Sequence, residues 1–96
     1  MKMFENKNYT NAQIMMFIAQ SFEHQSHIKS IQEIDGKGII VKWRSTTFIV
    51  YKNLSVYEYD DGAEIGSDIS IMIRRAIMRP AVEFELGLTN ETAIKR

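Results

Sequence analysis

The sequence predicts an α+β fold: an N-terminal helix, a four-stranded antiparallel meander, a second helix, then a strand or short helix, in a single two-layer domain. Three observations carry that prediction. A helix-start signal opens an apolar stretch over residues 9–22, β-branched and aromatic runs broken by turn residues fill 28–59, and apolar residues return at helical spacing over 69–77.

In YTNAQIMMFIAQSF, Thr10 and Gln13 stand in the capping-box relation, each side chain able to satisfy an amide of the first turn. Tyr9 and Ile14 occupy the flanking staple positions. Ile14, Met15, Ile18, Ala19 and Phe22 then share one face, with Met16 and Phe17 off it, and the helix fades near His24–His27. Asp35-Gly36 supplies the positive-φ residues of a tight hairpin turn inside HIKSIQEIDGKGIIVKW. A third strand follows a turn at Ser45-Thr46, and a fourth follows Lys52-Asn53. DDGAEIGSD, residues 60–68, reads as a polar connection ending in a helix cap at Ser67 or Asp68. Ile69, Met72, Ile73, Ala76 and Ile77 form the core stripe of the second helix. Pro80 ends that helix or begins a new segment. VEFEL, residues 82–86, alternates strictly and predicts a fifth strand, with a short helix from Pro80 as the competing reading; residues 89–96 read as a polar tail.

The meander KWRSTTFIVYKNLSVYEY carries large apolar residues on both of its phases, which a sheet with one wet face does not need. A two-residue turn at Ser45-Thr46 and an even turn at Lys52-Asn53 put Ile39, Val41, Trp43, Phe48, Val50, Tyr57 and Tyr59 on the core face, with Trp43 buried beside Phe48. The opposite face then holds Ile40, Lys42, Arg44, Thr47, Ile49, Tyr51, Val56 and Glu58, too apolar to be idle and too charged to be fully buried. The second helix shows a similar surplus: Ile71 and Met78 lie opposite its core stripe, bracketed by Arg74, Arg75 and Arg79. Apolar residues ringed by arginine are enriched at protein interfaces.

Composition narrows the function classes. The 96 residues suffice for one domain, and 45% apolar with 25% charged content is ordinary for a globular chain. Twelve basic and twelve acidic side chains cancel, so no overall field steers the chain to nucleic acid or an anionic membrane. With no cysteine, disulfides, thiol catalysis and thiolate metal sites are excluded. The longest apolar run, Ile14 to Ala19, is far short of the ~20 residues that span a bilayer, and a cytoplasmic location is expected.

Candidate chemistry is sparse. Glu23, His24 and His27 could share a metal, but histidines at a helix end favour its dipole without one. Asp60, Asp61, Glu64 and Asp68 crowd carboxylates into nine residues without the order of a calcium loop. Lys42, Arg44, Tyr51 and Lys52 mix basic and aromatic groups as single-stranded nucleic-acid binders do. No glycine-rich phosphate loop and no nucleophile elbow occurs.

The function these residues predict is a non-catalytic protein-interaction module, acting through self-association or on another protein, with no cofactor. Its size and lack of chemistry suit a small inhibitor of a host protein carried by a phage or mobile element. Ile71, Arg74, Arg75, Met78 and Arg79 are the first candidate interface, and Ile40, Lys42, Arg44, Ile49 and Tyr51 the second. The alternatives are a nucleic-acid-binding module on the basic and aromatic sheet face and a small metal-dependent hydrolase or nuclease.

Overall fold

The computed structural model describes residues 7–21, 28–34 and 36–87. Helix α1 (Asn11–Ser21) precedes five strands, β1 (Ile28–Ile34), β2 (Gly38–Trp43), β3 (Thr46–Tyr51), β4 (Val56–Asp60) and β5 (Ala63–Ile65), and helix α2 (Asp68–Glu85) follows them. The strands form one antiparallel sheet in chain order. Both helices cover one face, burying Ile14, Phe17 and Ile18 of α1 and Ile73, Ile77 and Ala81 of α2 against Ile39, Val41, Phe48, Val50 and Val56. The predicted α+β class and two-layer build are therefore those of the molecule. The polar tail at 89–96, Phe22 and the His24–His27 segment lie outside the described residues.

The capping box at the start of α1 is formed on both sides. The Gln13 N–H donates to Thr10 Oγ1 at 3.1 Å, and the Thr10 N–H donates to Gln13 Oε1 at 3.0 Å. Tyr9 and Ile14 are both buried, as staple positions should be. The buried stripe differs from the periodic one: Phe17 is fully buried, Met15 is only partly buried and Ala19 is exposed. Aromatic packing sets this rotation, because Phe17 meets Tyr9 edge-on at 5.2 Å and Phe84 of α2 at 5.7 Å. Replacing Thr10 with alanine is expected to cost about 1 kcal/mol, seen as a lower urea midpoint. An unchanged midpoint would show that the cap does not hold the helix start.

The β2–β3 turn is Arg44-Ser45 rather than Ser45-Thr46, with Trp43 opposite Thr46 and Val41 opposite Phe48. Thr46 prefers an extended strand position, while Arg44 takes φ 54° and stacks its guanidinium over Trp43 at 5.0 Å. The slip is two residues, so every side chain keeps its predicted face. Trp43 is half-buried at the rim of the core, not enclosed beside Phe48.

The β3–β4 connection changes faces. It is a three-residue loop, Lys52 to Leu54, closed by the Leu54 N–H to the Tyr51 carbonyl at 2.8 Å and the Tyr51 N–H to the Ser55 carbonyl at 2.9 Å. Asn53 Oδ1 accepts from the Ser55 N–H at 3.0 Å, a local bond that asparagine makes readily in turns. Leu54 sits at φ 68° with its side chain fully buried. A left-handed non-glycine residue costs about 1–2 kcal/mol, and burying leucine returns about 1.5–3 kcal/mol, so burial decides the loop. Odd length then puts Val56 opposite Val50 and Glu58 opposite Phe48, while Tyr57 faces Ile49. Val56 and Glu58 thus belong to the helix side, and Tyr57 and Tyr59 to the outer side, the reverse of the sequence expectation.

The fifth strand lies in the acidic connection. Asp61 and Gly62, at φ 51° and 81°, form a two-residue hairpin turn that pairs Asp60 with Ala63 and Glu58 with Ile65. Residues 82–86 are not a strand, and Pro80 does not end α2, which runs on to Glu85. Proline lacks the N–H for the i−4 carbonyl, but burial of Pro80, Ala81 and the half-buried Phe84 anchors the second half of the helix. Ser67 caps α2 through a reciprocal pair with Ser70. Gly87, at φ 80°, terminates it with its N–H on the Phe84 carbonyl. Of the predicted stripe, Ile73 and Ile77 are buried and Ala76 half-buried, but Ile69 is 38% exposed and Met72 53%, because the helix turns its Pro80, Ala81 and Phe84 side inward.

At the far end, the Tyr9 hydroxyl donates to Glu85 Oε2 at 2.8 Å, and Lys7 Nζ lies 3.2 Å from Glu85 Oε1. Burial first, then the Glu85 hydrogen bond, pushes the Tyr9 hydroxyl pKa up, while that same bond holds the Glu85 carboxyl below its ordinary value. The two sheet edges are guarded, β1 by a bulge at Lys29 and β5 by its brevity.

Candidate interaction surface

The outer face of the sheet is built around Ile49. This side chain is 2% exposed although it stands outside the core between the helices and the sheet. Ile40 is directly opposite it on β2 and Tyr57 on β4, with Tyr51 and Tyr59 at neighbouring outward positions. Tyr51 and Tyr57 meet edge to face at 6.0 Å and 75°. The Tyr51 hydroxyl donates to Glu64 Oε2 on β5, and that bond, ahead of burial, pushes its pKa up to about 12. Tyr57 remains 37% exposed.

At the loop end of this face a cleft of about 510 Å³ opens between Asn8, Lys37, Lys52, Asn53, Tyr51 and Tyr57. A smaller hollow of about 300 Å³ lies beyond, between Ser55, Tyr57, Ile71 and Arg74 at the start of α2. Tyr57 lines both.

Of the second set of predicted residues, the structure brings Ile40, Lys42, Ile49 and Tyr51 together on this face. Arg44 departs, being a turn residue stacked on Trp43. The first set divides. Ile71, Arg74, Arg75 and Arg79 are exposed, whereas Met78 is half-buried and packs against the core. Arg74 Nε donates to the Leu54 carbonyl at 3.2 Å and is bound to the β3–β4 loop. Arg79 lies 4.0 Å from Glu83, a loose exposed pair worth little. Met72 rather than Met78 is the exposed methionine beside Ile71, both at 53%.

Sequence reasoning missed Tyr57, Tyr59 and Glu64 as members of the outer face. The signal that could have found them is Leu54, an apolar residue in a polar turn, which calls for an inward anchor and an odd loop. Asp60, Asp61, Glu64 and Asp68 form no group that could hold one metal ion among the described residues. Among the same residues, no helix is long and apolar enough to cross a membrane.

No protein-family model matches the chain, and no curated protein or solved structure shows significant similarity to it.

Proposed function

We propose that the chain is a non-catalytic protein-interaction module that engages its partner with the outer face of the sheet. The observation that carries this reading is the tyrosine group over Ile49, on the face opposite both helices. Tyrosine offers large, rigid contact area with a polar tip, and it is enriched at binding hot spots. Three tyrosines on one sheet face with Ile40 at their margin match that composition, and flanking Lys42 and Thr47 supply the polar rim. The exposed Ile71 and Met72 on α2 are two aliphatic residues with no aromatic group of their own, and they weigh less.

The test is a photo-crosslinking residue placed singly at Tyr57 and at Arg79 on the exposed side of α2, followed by irradiation in the cell that makes the protein. The expected result is one adduct of defined mass from position 57 and none from 79. A product of twice the chain mass would identify a second copy as the partner. Adducts from position 79 alone, or none from either, would overturn the assignment of this face.

A further inference from the structure

The cleft at the loop end of the outer face differs from the rest of that face in its hydrogen-bond donors. Lys37 comes from the β1–β2 turn and Lys52 and Asn53 from the β3–β4 loop, and the three share a cleft wall with Tyr51 and Tyr57. Among the described residues, neither lysine forms an ion pair; the pairs present join Lys7 to Glu85 and Arg79 to Glu83. The Ser55 N–H occupies Asn53 Oδ1, so Nδ2 is the atom of that amide left to donate. Among the described residues, the one carboxylate in the lining is Glu64, and it has an oxygen engaged by the Tyr51 hydroxyl. Two ammonium groups and an amide therefore stand next to an edge-to-face aromatic pair, with Glu64 the one carboxylate beside them among the described residues.

Resting on the proposed reading of this face, we infer that the cleft binds an acidic peptide segment of the partner protein. A glutamate or aspartate carboxylate is received by Lys37, Lys52 and the Asn53 amide, and an adjacent apolar side chain lies on Tyr51 and Tyr57. Charge complementarity selects this occupant. A phosphodiester strand suits the site less, because its affinity comes from neutralising many phosphates in a row, and the cleft offers two lysines. A peptide needs only one or two carboxylates at the lysine end.

The full chain labelled with ¹⁵N is titrated with three probes: a capped peptide alternating glutamate and leucine, its glutamine counterpart, and an oligodeoxythymidylate. The glutamate peptide is expected to shift the amides of Lys37, Tyr51, Lys52, Asn53 and Tyr57, and to bind roughly tenfold more tightly than the glutamine peptide. The pair Lys37→Glu with Lys52→Glu should remove that preference at unchanged melting temperature, since the Lys52 group that holds Tyr9 is its backbone carbonyl. Equal binding of the two peptides, no shift in the cleft, or tighter binding of the oligonucleotide would each overturn the inference. If crosslinks still form at position 57 while the glutamate peptide fails, only the acidic specificity falls. If position 57 yields none, the face itself is wrong whatever the peptide does.

Discussion

Replacing Gly38 with alanine is expected to cost about 3 kcal/mol or more, against the roughly 5–15 kcal/mol by which a domain is stable. Gly38 opens β2 between Ile34 of β1 and Tyr51 of β3. A Cβ there would overlap the Val50 carbonyl oxygen and stand 2.9 Å from Tyr51 Cα, both of them backbone atoms in the sheet that cannot swing aside. Gly36 is the control. Its φ of 73° disfavours alanine, yet nothing lies within 4 Å of its added Cβ, so Gly36→Ala should cost only about 1 kcal/mol. Urea midpoints of the two variants decide the matter. Equal and small losses would show that the strands part easily at this point and that Gly38 is not needed for close approach.

The second large effect belongs to Phe17→Ala, expected at about 3–5 kcal/mol. The ring is fully buried and is the member common to the contacts with Tyr9 and Phe84, so its removal opens a void where the start of α1 meets the end of α2. Phe17→Leu, which keeps most of the volume, should cost about 1.5 kcal/mol. If alanine and leucine prove equally mild, the ring is not a keystone and α1 packs in the orientation its apolar spacing suggests.

Much of the fold was legible because local signals agreed with it. Thr10 with Gln13, Ser67, and the β-branched and aromatic runs of β2 and β3 each predicted the element that formed. The face assignments of β2 and β3 survived a wrong turn because the error was even. The losses came where a long-range contact outvoted a local pattern. Phe17 entered the core for Phe84, which follows it by sixty-seven positions in the chain, and no periodicity within α1 can report that. The strict alternation of residues 82–86 was overridden by burial of Ala81 and Phe84 on a continuing helix. Asp61-Gly62, by contrast, was a readable hairpin signal between Tyr59 and Glu64 whose flanking strand was too short to show a period. Of the candidate surface, Ile40, Lys42, Ile49 and Tyr51 were visible in the sequence. Tyr57 and Tyr59 were lost through one unit of loop length, since parity alone decides their face.

The contact between Tyr9 and Glu85 also bears on the order in which the molecule assembles. It ties positions 76 apart in the chain, whereas every strand pairs with its sequence neighbour across a short turn. Closing short loops is entropically cheap, so the meander can zip up early, and the junction of the two helices comes last. The loss in Phe17→Ala should then appear mainly as faster unfolding, with the refolding rate little changed. On the ribosome the same topology leaves an interval. From the completion of β5 until Phe84 has been synthesised, the apolar side of β2, β3 and β4 waits without its full cover, and the nascent chain is then most open to wrong partners.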